Sequence, residues 1–490
     1  MGDHIDLLLA DSSPPSPFSN AEYDRRLKDL VNQLRRAYST RTANRIEDAQ
    51  LLRLLHPANN TLGYIFLLLN ISTDRTSDLF LISLVAFLKT FEPVQARYAG
   101  PEWRRILEMT GELVHATQNT EILLPYRTAI LRMDPTSSTF TSNHLSYVEL
   151  CLQARRPREA LAILDNDVLN FPYDEVQGVD SRRLCEDSKG CDYITTHSGI
   201  SGEVTTLLVQ EYYLLGAQVY IGLREYARAT LFLELVLSTP GVGAPLNAFM
   251  IEAYKKLVLV SLVSRGQSPN MSRLVTDQSA ERTLSQTAKA YEVLSDTFKQ
   301  RKLEKFHAEV DVAGSLWSDD GNLGLVHEAG EALRRHRVLD LSKTYSALPV
   351  ERVASHLNTP VERMIQLLQA MIQQGHLQAS VSSSSGHAGL QNGTSSSDTS
   401  AIIRFHAWDT SKAAPTSPSE EKIQSQMRRI EALANAVRES DRRFALTREY
   451  AEWLRRNRKG ADAGAAAYED PMEMDDVGGR GGEDEDIMAA

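Results

Sequence analysis

Apolar residues recur three and four positions apart along most of the first 335 residues of the chain. One such set early in the chain is Leu27, Leu30, Val31 and Leu34. This period places apolar side chains on one face of a helix, whereas the alternation typical of strands is nearly absent in this part of the sequence. Many short helices joined by short connections predict a mainly α fold built from stacked helical hairpins.

Two segments approximate the spacing of tetratricopeptide repeats. In the later segment the spaced residues are Tyr213, Gly216, Ala217, Tyr220, Ala229, Leu233 and Pro240, and in the earlier one they are Val148, Cys151, Ala160, Leu164 and Pro172. Small residues at such positions let the two helices of a hairpin approach closely, and proline ends the unit. The pattern predicts a tetratricopeptide-like arm, with an irregular helical domain as the alternative.

A different pattern begins at residue 336. The sequence Thr359-Pro360-Val361-Glu362 has the spacing of a capping box, in which the Thr359 and Glu362 side chains would each bind the other's backbone N–H. The helix that it opens carries an apolar stripe that includes Leu368 and Ile372, and Gly375 supplies a left-handed stop.

Two strand-like segments follow this helix. The apolar residues that alternate with polar ones are Leu377, Ala379 and Val381 in the first segment, and Ala401, Ile403 and Phe405 in the second. The intervening segment, Ser382–Ser400, is rich in Ser and Gly and reads as a lengthened wing. Two helices and two strands in this order predict a winged helix over residues 336–406. Within it, Leu377, Ile403 and Phe405 should pack the sheet on the helix and support subunit docking.

Residues Glu420 to Lys459 read as one long amphipathic helix. Its apolar seam, repeated every seven residues, includes Ile423, Ile430, Val437 and Phe444. Asp441 and Arg448 interrupt this seam, which disfavours pairing with a second copy of the chain and favours a bundle with unlike helices. These four apolar residues are the predicted partner-binding face.

The patterns together predict six parts along the chain. They are a disordered arm (1–20), helical repeats with a cysteine-containing loop (21–200), further helical repeats (201–335), the winged helix (336–406), a linker with the terminal helix (407–459) and a disordered acidic tail (460–490).

The negative charge of the chain is concentrated at its end. The net charge is -11, and the last thirty residues hold ten acidic residues and one arginine. The rest of the chain is therefore close to neutral, which does not favour nonspecific nucleic-acid binding. The helix predicted over Pro360–Gln374 carries one acid, Glu362, and one base, Arg363, so DNA binding is a minor alternative.

Cys185, Cys191 and His197 share the loop Tyr173–Ser201, and side chains of these types can bind zinc. The two cysteines are six residues apart, wider than a zinc knuckle requires, so no metal is expected. The sequence has no His-Glu-x-x-His, no phosphate-binding Gly-x-x-x-x-Gly-Lys and no Gly-x-Ser-x-Gly motif. We therefore expect a non-enzymatic protein without a cofactor. The apolar run Leu79–Leu88 is about half the length that crosses a bilayer, so no membrane partner is expected.

A helical-repeat arm followed by a winged helix resembles the PCI-domain family. The residues that carry the resemblance are Tyr345 to Ala354 and Gln374 to Ala379. One departure is Gln374-Gly375, where the family often has Asp-Gly. Within that family, Met250–Leu262, Leu233–Pro240 and Asn322–Val326 are similar to the third-subunit group of the COP-nine signalosome, with a fungal-like character. This likeness spans roughly 202–406, and the arm, the wing and the tail depart from the expected pattern.

The resemblance implies a non-catalytic scaffold. Such a chain would support removal of the ubiquitin-like modifier Nedd from cullin-RING ubiquitin ligases, which it would contact indirectly. Its direct partners would be other signalosome subunits, bound through the winged helix and the terminal helix, in cytoplasm and nucleus. A subunit of the proteasome lid is the alternative in the same class.

Overall fold

The computed structural model describes most of the chain and divides it into two units, Met1–Ser417 and Pro418–Ala490. The described residues are 20–39, 45–71, 75–173, 184–186, 189–239, 246–271, 274–275, 278–383, 401–406 and 420–465. Four predicted parts lie wholly or mostly outside these residues. They are the N-terminal segment 1–20, the wing insertion, the linker after residue 406 and the acidic tail.

In the described residues, nine α-helices form the first part of the helical-repeat arm. They are α1 (Asn20–Ser39), α2 (Arg45–Leu54), α3 (Thr61–Asn70), α4 (Asp78–Thr90), α5 (Pro93–Arg97), α6 (Gly100–Thr117), α7 (Leu123–Met133), α8 (Ser142–Gln153) and α9 (Pro157–Leu164). The stripe predicted from Leu27 to Leu34 is buried along α1. Tyr98 also ties this helix to the following ones, because its hydroxyl donates to Asp24 Oδ1 at 2.9 Å.

The arm continues with nine more helices in the described residues. They are α10 (Gly190–Tyr193), α11 (Thr206–Gly222), α12 (Tyr226–Ser238), α13 (Ala248–Arg265), α14 (Gln278–Thr287), α15 (Lys289–Lys299), α16 (Leu303–Val312), α17 (Gly314–Asp319) and α18 (Leu323–Thr344). Neighbouring helices pack as hairpins, α8 on α9 and α11 on α12 among them. The predicted mainly helical repeat architecture is confirmed. No helix in the described ranges is long and apolar enough to cross a membrane.

The same turn closes six of the helices. In each, one residue takes a left-handed conformation and the next N–H donates to the carbonyl five positions earlier, from 2.8 Å (Arg156 N to Cys151 O) to 3.5 Å (Lys302 N to Thr297 O). The left-handed residues are Arg155, Arg224, Arg301, Gly321, Asn358 and Gly375. This bond satisfies a terminal carbonyl of the helix and ends it sharply.

Gly216 shows why the α11–α12 hairpin requires a small residue. A Cβ atom there would lie 2.7 Å from Cε1 of Phe232 on α12 and 2.9 Å from Cδ2 of Leu164 on α9. The Phe232 ring is also held edge-on by Tyr213 and Tyr220, with centroids 5.2 and 5.1 Å away. Three helices therefore meet at one glycine, as the repeat spacing predicts.

The winged helix contains a third strand that the sequence did not predict. Its elements are β1 (Ala347–Pro349), α19 (Val350–His356), α20 (Val361–Gln373), β2 (Ala379–Ser383) and β3 (Ala401–Phe405). The sheet is antiparallel with the order β1-β3-β2, and Ile403 faces both Leu348 and Val381. A strand of three residues that ends in proline is too short to show alternation, so β1 was missed.

The predicted capping box at Thr359 is wrong. The helix begins at Val361, and Pro360 is extended at its N-cap with ψ 144°. The Thr359 N–H is already used by the preceding turn, where it donates to Ala354 O at 3.0 Å. Since that N–H is not available to Glu362, the box cannot close, and the Thr359 hydroxyl donates instead to Leu357 O at 2.9 Å.

The described residues of the terminal unit, 420–465, form two helices where the sequence predicted one. They are α21 (Glu420–Ala445) and α22 (Arg448–Ala465). At the break, Thr447 N donates to Phe444 O at 3.0 Å, and the Thr447 hydroxyl accepts weakly from Tyr450 N at 3.4 Å. Thr447 therefore acts as the N-cap of the second helix, a role that competes with continuing the first.

Candidate functional site

The three predicted winged-helix residues lie in the interior of the module. Leu377, Ile403 and Phe405 are buried, together with Leu368 on α20. Ile372, the other predicted contact, is partly buried against the same core. These side chains therefore hold the sheet on the helix. Their effect on subunit docking stays a prediction. Because the three side chains are buried, that effect would be indirect, through the shape of the module.

The surface that the module offers for pairing is a sheet edge. β3 is central, so β1 and β2 each keep one edge without a strand neighbour in the described part of the chain. β1 has three residues and ends in Pro349, which has no N–H to donate. β2 is the longer edge and is rich in serine, so it is the better candidate for pairing with another chain.

The predicted partner-binding face on α21 is exposed. The exposed fractions are 44% for Ile423, 65% for Ile430, 58% for Val437 and 60% for Phe444. Met427 and Leu433 extend the same side of the helix and are also exposed. A row of exposed apolar side chains along one helix is typical of protein–protein contact sites.

Sequence reasoning missed an aromatic cluster at the α21–α22 break. The Phe444 and Tyr450 rings lie 4.9 Å apart, and Tyr450 stacks on Trp453 at 5.8 Å. Phe444 and Trp453 both remain more than half exposed. Aromatic residues dominate the binding energy of protein interfaces, so this cluster belongs to the same candidate surface. The turn at Thr447, which the sequence did not reveal, creates it.

Three residues of the segments that carry the family resemblance, Lys255, Lys256 and Asn322, take part in a buried polar network that we call the latch. Lys255 Nζ lies 2.7 Å from Asp320 Oδ1, and Lys256 Nζ donates to Asn322 Oδ1 at 2.7 Å. Tyr291 on α15 joins both, because its hydroxyl donates to Asp320 Oδ2 at 2.7 Å and accepts from Asn322 Nδ2 at 2.9 Å. The latch connects α13 and α15 with the α17–α18 turn.

The electrostatics of the latch favour its charged form. Burial alone would raise the pKa of Asp320, but the hydrogen bonds from Lys255 and Tyr291 outweigh it and hold this pKa below its usual value. Burial raises the pKa of the Tyr291 hydroxyl still further above neutral pH, where the phenol is already protonated and can donate. Lys255 and Lys256 thus fix the packing of the arm just ahead of α18, the helix that leads into the winged helix.

The described residues of the cysteine-containing loop, 184–186 and 189–201, pack on the arm. Cys191 is buried, and the Cys185 thiol lies 3.5 Å from the carbonyl of Asn20. Tyr193 fixes the loop, because Arg97 stacks over its ring at 3.6 Å and its hydroxyl donates to Met133 O at 2.5 Å. Among the described residues, no group of three His, Cys, Asp or Glu side chains is placed to hold a metal ion.

Two family models and several relatives match this chain. The model described as "COP9 signalosome complex subunit 3, N-terminal helical repeats" matches residues 24–278, and the PCI domain model matches residues 311–387. The COP9 signalosome complex subunit 3 of Emericella nidulans is 26% identical over all of this chain and 99% of its own length. The protein of the same name from Neurospora crassa is 25% identical over 75% of this chain and 77% of its own.

These matches confirm the resemblance and correct its extent. The arm before residue 202, which was expected to depart from the family, lies mostly within the helical-repeat match. That match alone covers more than half of the 490 residues. Together with the fold, it shows that the chain belongs to the family of COP9 signalosome complex subunit 3.

Proposed function

We propose that this chain is a non-catalytic architectural subunit of a signalosome, and that it supports removal of the ubiquitin-like modifier Nedd from cullin-RING ubiquitin ligases. The observation that carries the proposal is the exposed apolar face of α21 in a chain of this family. A face that includes Ile430 and Val437 is costly to leave in water, so it is used for binding.

The use of ionisable groups in the arm supports an architectural role. Lys255, Asp320 and Tyr291 contact one another in the latch and are mostly buried there. Burial lowers the pKa of His144 to about 4, and its ring is held by Ser137 and Thr141 at 2.8 and 2.7 Å. These groups stabilise the packing of the helices. Because they are buried, a substrate in solution would not reach them.

The direct partners in this proposal are other signalosome subunits. They bind the β2 edge of the winged helix and the apolar face of α21, and cullin-RING ligases are contacted only through the assembled complex. We also place the chain in both cytoplasm and nucleus. A fluorescent fusion expressed from the native locus and absent from either compartment would contradict that assignment.

Affinity purification of the tagged full-length chain tests the proposal. Mass spectrometry should find the remaining signalosome subunits in near-equal amounts, with cullins as weaker companions. The same tag on a chain ending at His406 serves as the matched control and should recover fewer subunits. Recovery of proteasome ATPases in place of cullins would assign the chain to the proteasome lid.

A further inference from the structure

A cleft lies between the end of the arm and the winged helix. Its volume is about 630 Å³, within the range of ligand-binding pockets. Helices α18 and α20 each form a wall, and α16 forms a third side that we call the floor. The apolar lining is made by Phe306, Val310, Val326, Leu367 and Met371.

The charges of the cleft do not cancel. Four arginines and two glutamates line it, and both glutamates are paired internally: Glu328 lies 3.3 Å from Arg224, and Glu331 lies 2.5 Å from Arg334. The two remaining arginines, Arg335 on α18 and Arg363 on α20, have no ion pair among the described residues. They come from two different helices, so the cleft carries a net positive charge that is not confined to one helix.

The wall formed by α18 leaves room for a bound chain. Gly324 and Gly330 both line the cleft. A Cβ atom at Gly324 would meet no atom within 4 Å, so nothing in the described chain fills the space beside it. The cleft therefore combines an apolar floor, an open wall and two arginines without an ion pair in the described part of the chain.

We propose that this cleft binds a peptide segment of another subunit in which carboxylate side chains lie next to apolar ones. The carboxylates pair with Arg335 and Arg363, for which guanidinium–carboxylate geometry is well suited, and the apolar side chains cover the floor. A purely apolar helix would leave both arginines without a partner, and a basic segment would be repelled. The inference rests on the proposed assembly into a signalosome.

Photo-crosslinking in the reconstituted complex identifies the occupant. Benzoylphenylalanine is placed at Gln374, which lines the cleft, and in a control at Gln369, an exposed position of α20 that does not line it. Only the Gln374 position should crosslink to a segment of another subunit that is rich in acidic and apolar residues. No crosslink, a crosslink to a neutral or basic segment, or one within this chain would overturn the inference.

Two further variants test the charge and the space. Arg335→Glu with Arg363→Glu should lower the Gln374 crosslink by about tenfold, while Arg352→Glu, exposed on α19, should leave it unchanged. Gly324→Leu fills the open wall and should have a similar effect, whereas Gly314→Leu, which also meets no atom within 4 Å, should not. If the unmodified chain does not assemble, the proposed function fails. If it assembles and these variants crosslink normally, only the cleft assignment fails.

Discussion

The arm and the terminal helices carry the same kind of sequence pattern but differ in what covers it. Along α1 the side chains of Leu27 and Leu34 are completely buried, whereas on α21 the side chain of Ile430 is 65% exposed. Both segments repeat apolar residues at helical spacing, and both form helices. The pattern therefore predicts the helix but not its partner, and a helix whose face stays exposed depends on another molecule to cover it.

A pair of tryptophans gives the largest expected contrast between the two regions. Trp103 in the arm is 1% exposed, and Trp453 on α22 is 53% exposed. Trp103→Ala should lower the free energy of unfolding by about 3–5 kcal/mol, because it leaves a large cavity. Trp453→Ala should change it by no more than about 0.5 kcal/mol. Urea denaturation followed by circular dichroism measures the free energy of unfolding of both variants. Equal losses would contradict the conclusion that Trp103 is buried in the core while Trp453 is not.

The stability of the arm should depend on pH through the buried side chain of His144. Burial lowers the pKa of His144 to about 4, below the ordinary value of 6.5. The unfolded chain thus takes up a proton that the folded chain rejects. His144 should therefore cost stability as the pH falls from about 6.5 towards 4, by roughly 3 kcal/mol in all.

His144→Gln is the matched variant for this prediction. His144 completes a capping box by accepting from Thr141 N, a role that glutamine can also fill. The variant should remain folded and lose less stability on acidification, in urea titrations between pH 7 and 4. His336, whose pKa is also lowered to about 4, mainly by burial, contributes in the same direction in both proteins. Parallel pH profiles would show that His144 is not the responsible group.

Removing one ion pair of the latch should lower the free energy of unfolding by a smaller amount. Lys255 and Asp320 are mostly buried, with side chains 16% and 15% exposed. Lys255→Met removes the charge that holds Asp320 and should cost about 1–3 kcal/mol, because the carboxylate keeps only part of its hydrogen bonding. Lys343→Met breaks an ion pair with Asp340 whose lysine is 76% exposed, and should cost at most about 0.5 kcal/mol. Equal melting temperatures for the two variants would deny the latch a structural role.

Much of this fold could be predicted from the sequence, because helical periodicity and repeat spacing are local signals. The hairpin around Gly216 and the burial of Ile403 follow from such patterns. β1 could not be predicted in this way, since three residues ending at Pro349 become a strand only when β3 lies beside them. The break at Thr447 was missed because Ala451 continues the seven-residue apolar spacing of Val437 and Phe444 beyond it.

The latch and the cleft could not be predicted from the sequence either. Lys255, Tyr291 and Asp320 are far apart along the chain, and only the stacking of α13, α15 and the α17–α18 turn brings them together. The same is true of Arg335 and Arg363, which stand on separate helices. Long-range contacts of this kind follow from packing geometry and leave no periodic trace in the sequence.

If the exposed face of α21 binds other subunits, charges placed on that face should prevent assembly of the complex. Ile430→Glu with Val437→Glu places two charges on the face, and Gln424→Glu with Asn435→Glu places the same charge at exposed polar positions of α21 as the control. Size-exclusion chromatography of the reconstituted complex should show incorporation of the first variant reduced by about tenfold or more, with the control normal and the arm's melting temperature unchanged. Normal incorporation of the first variant would contradict the account.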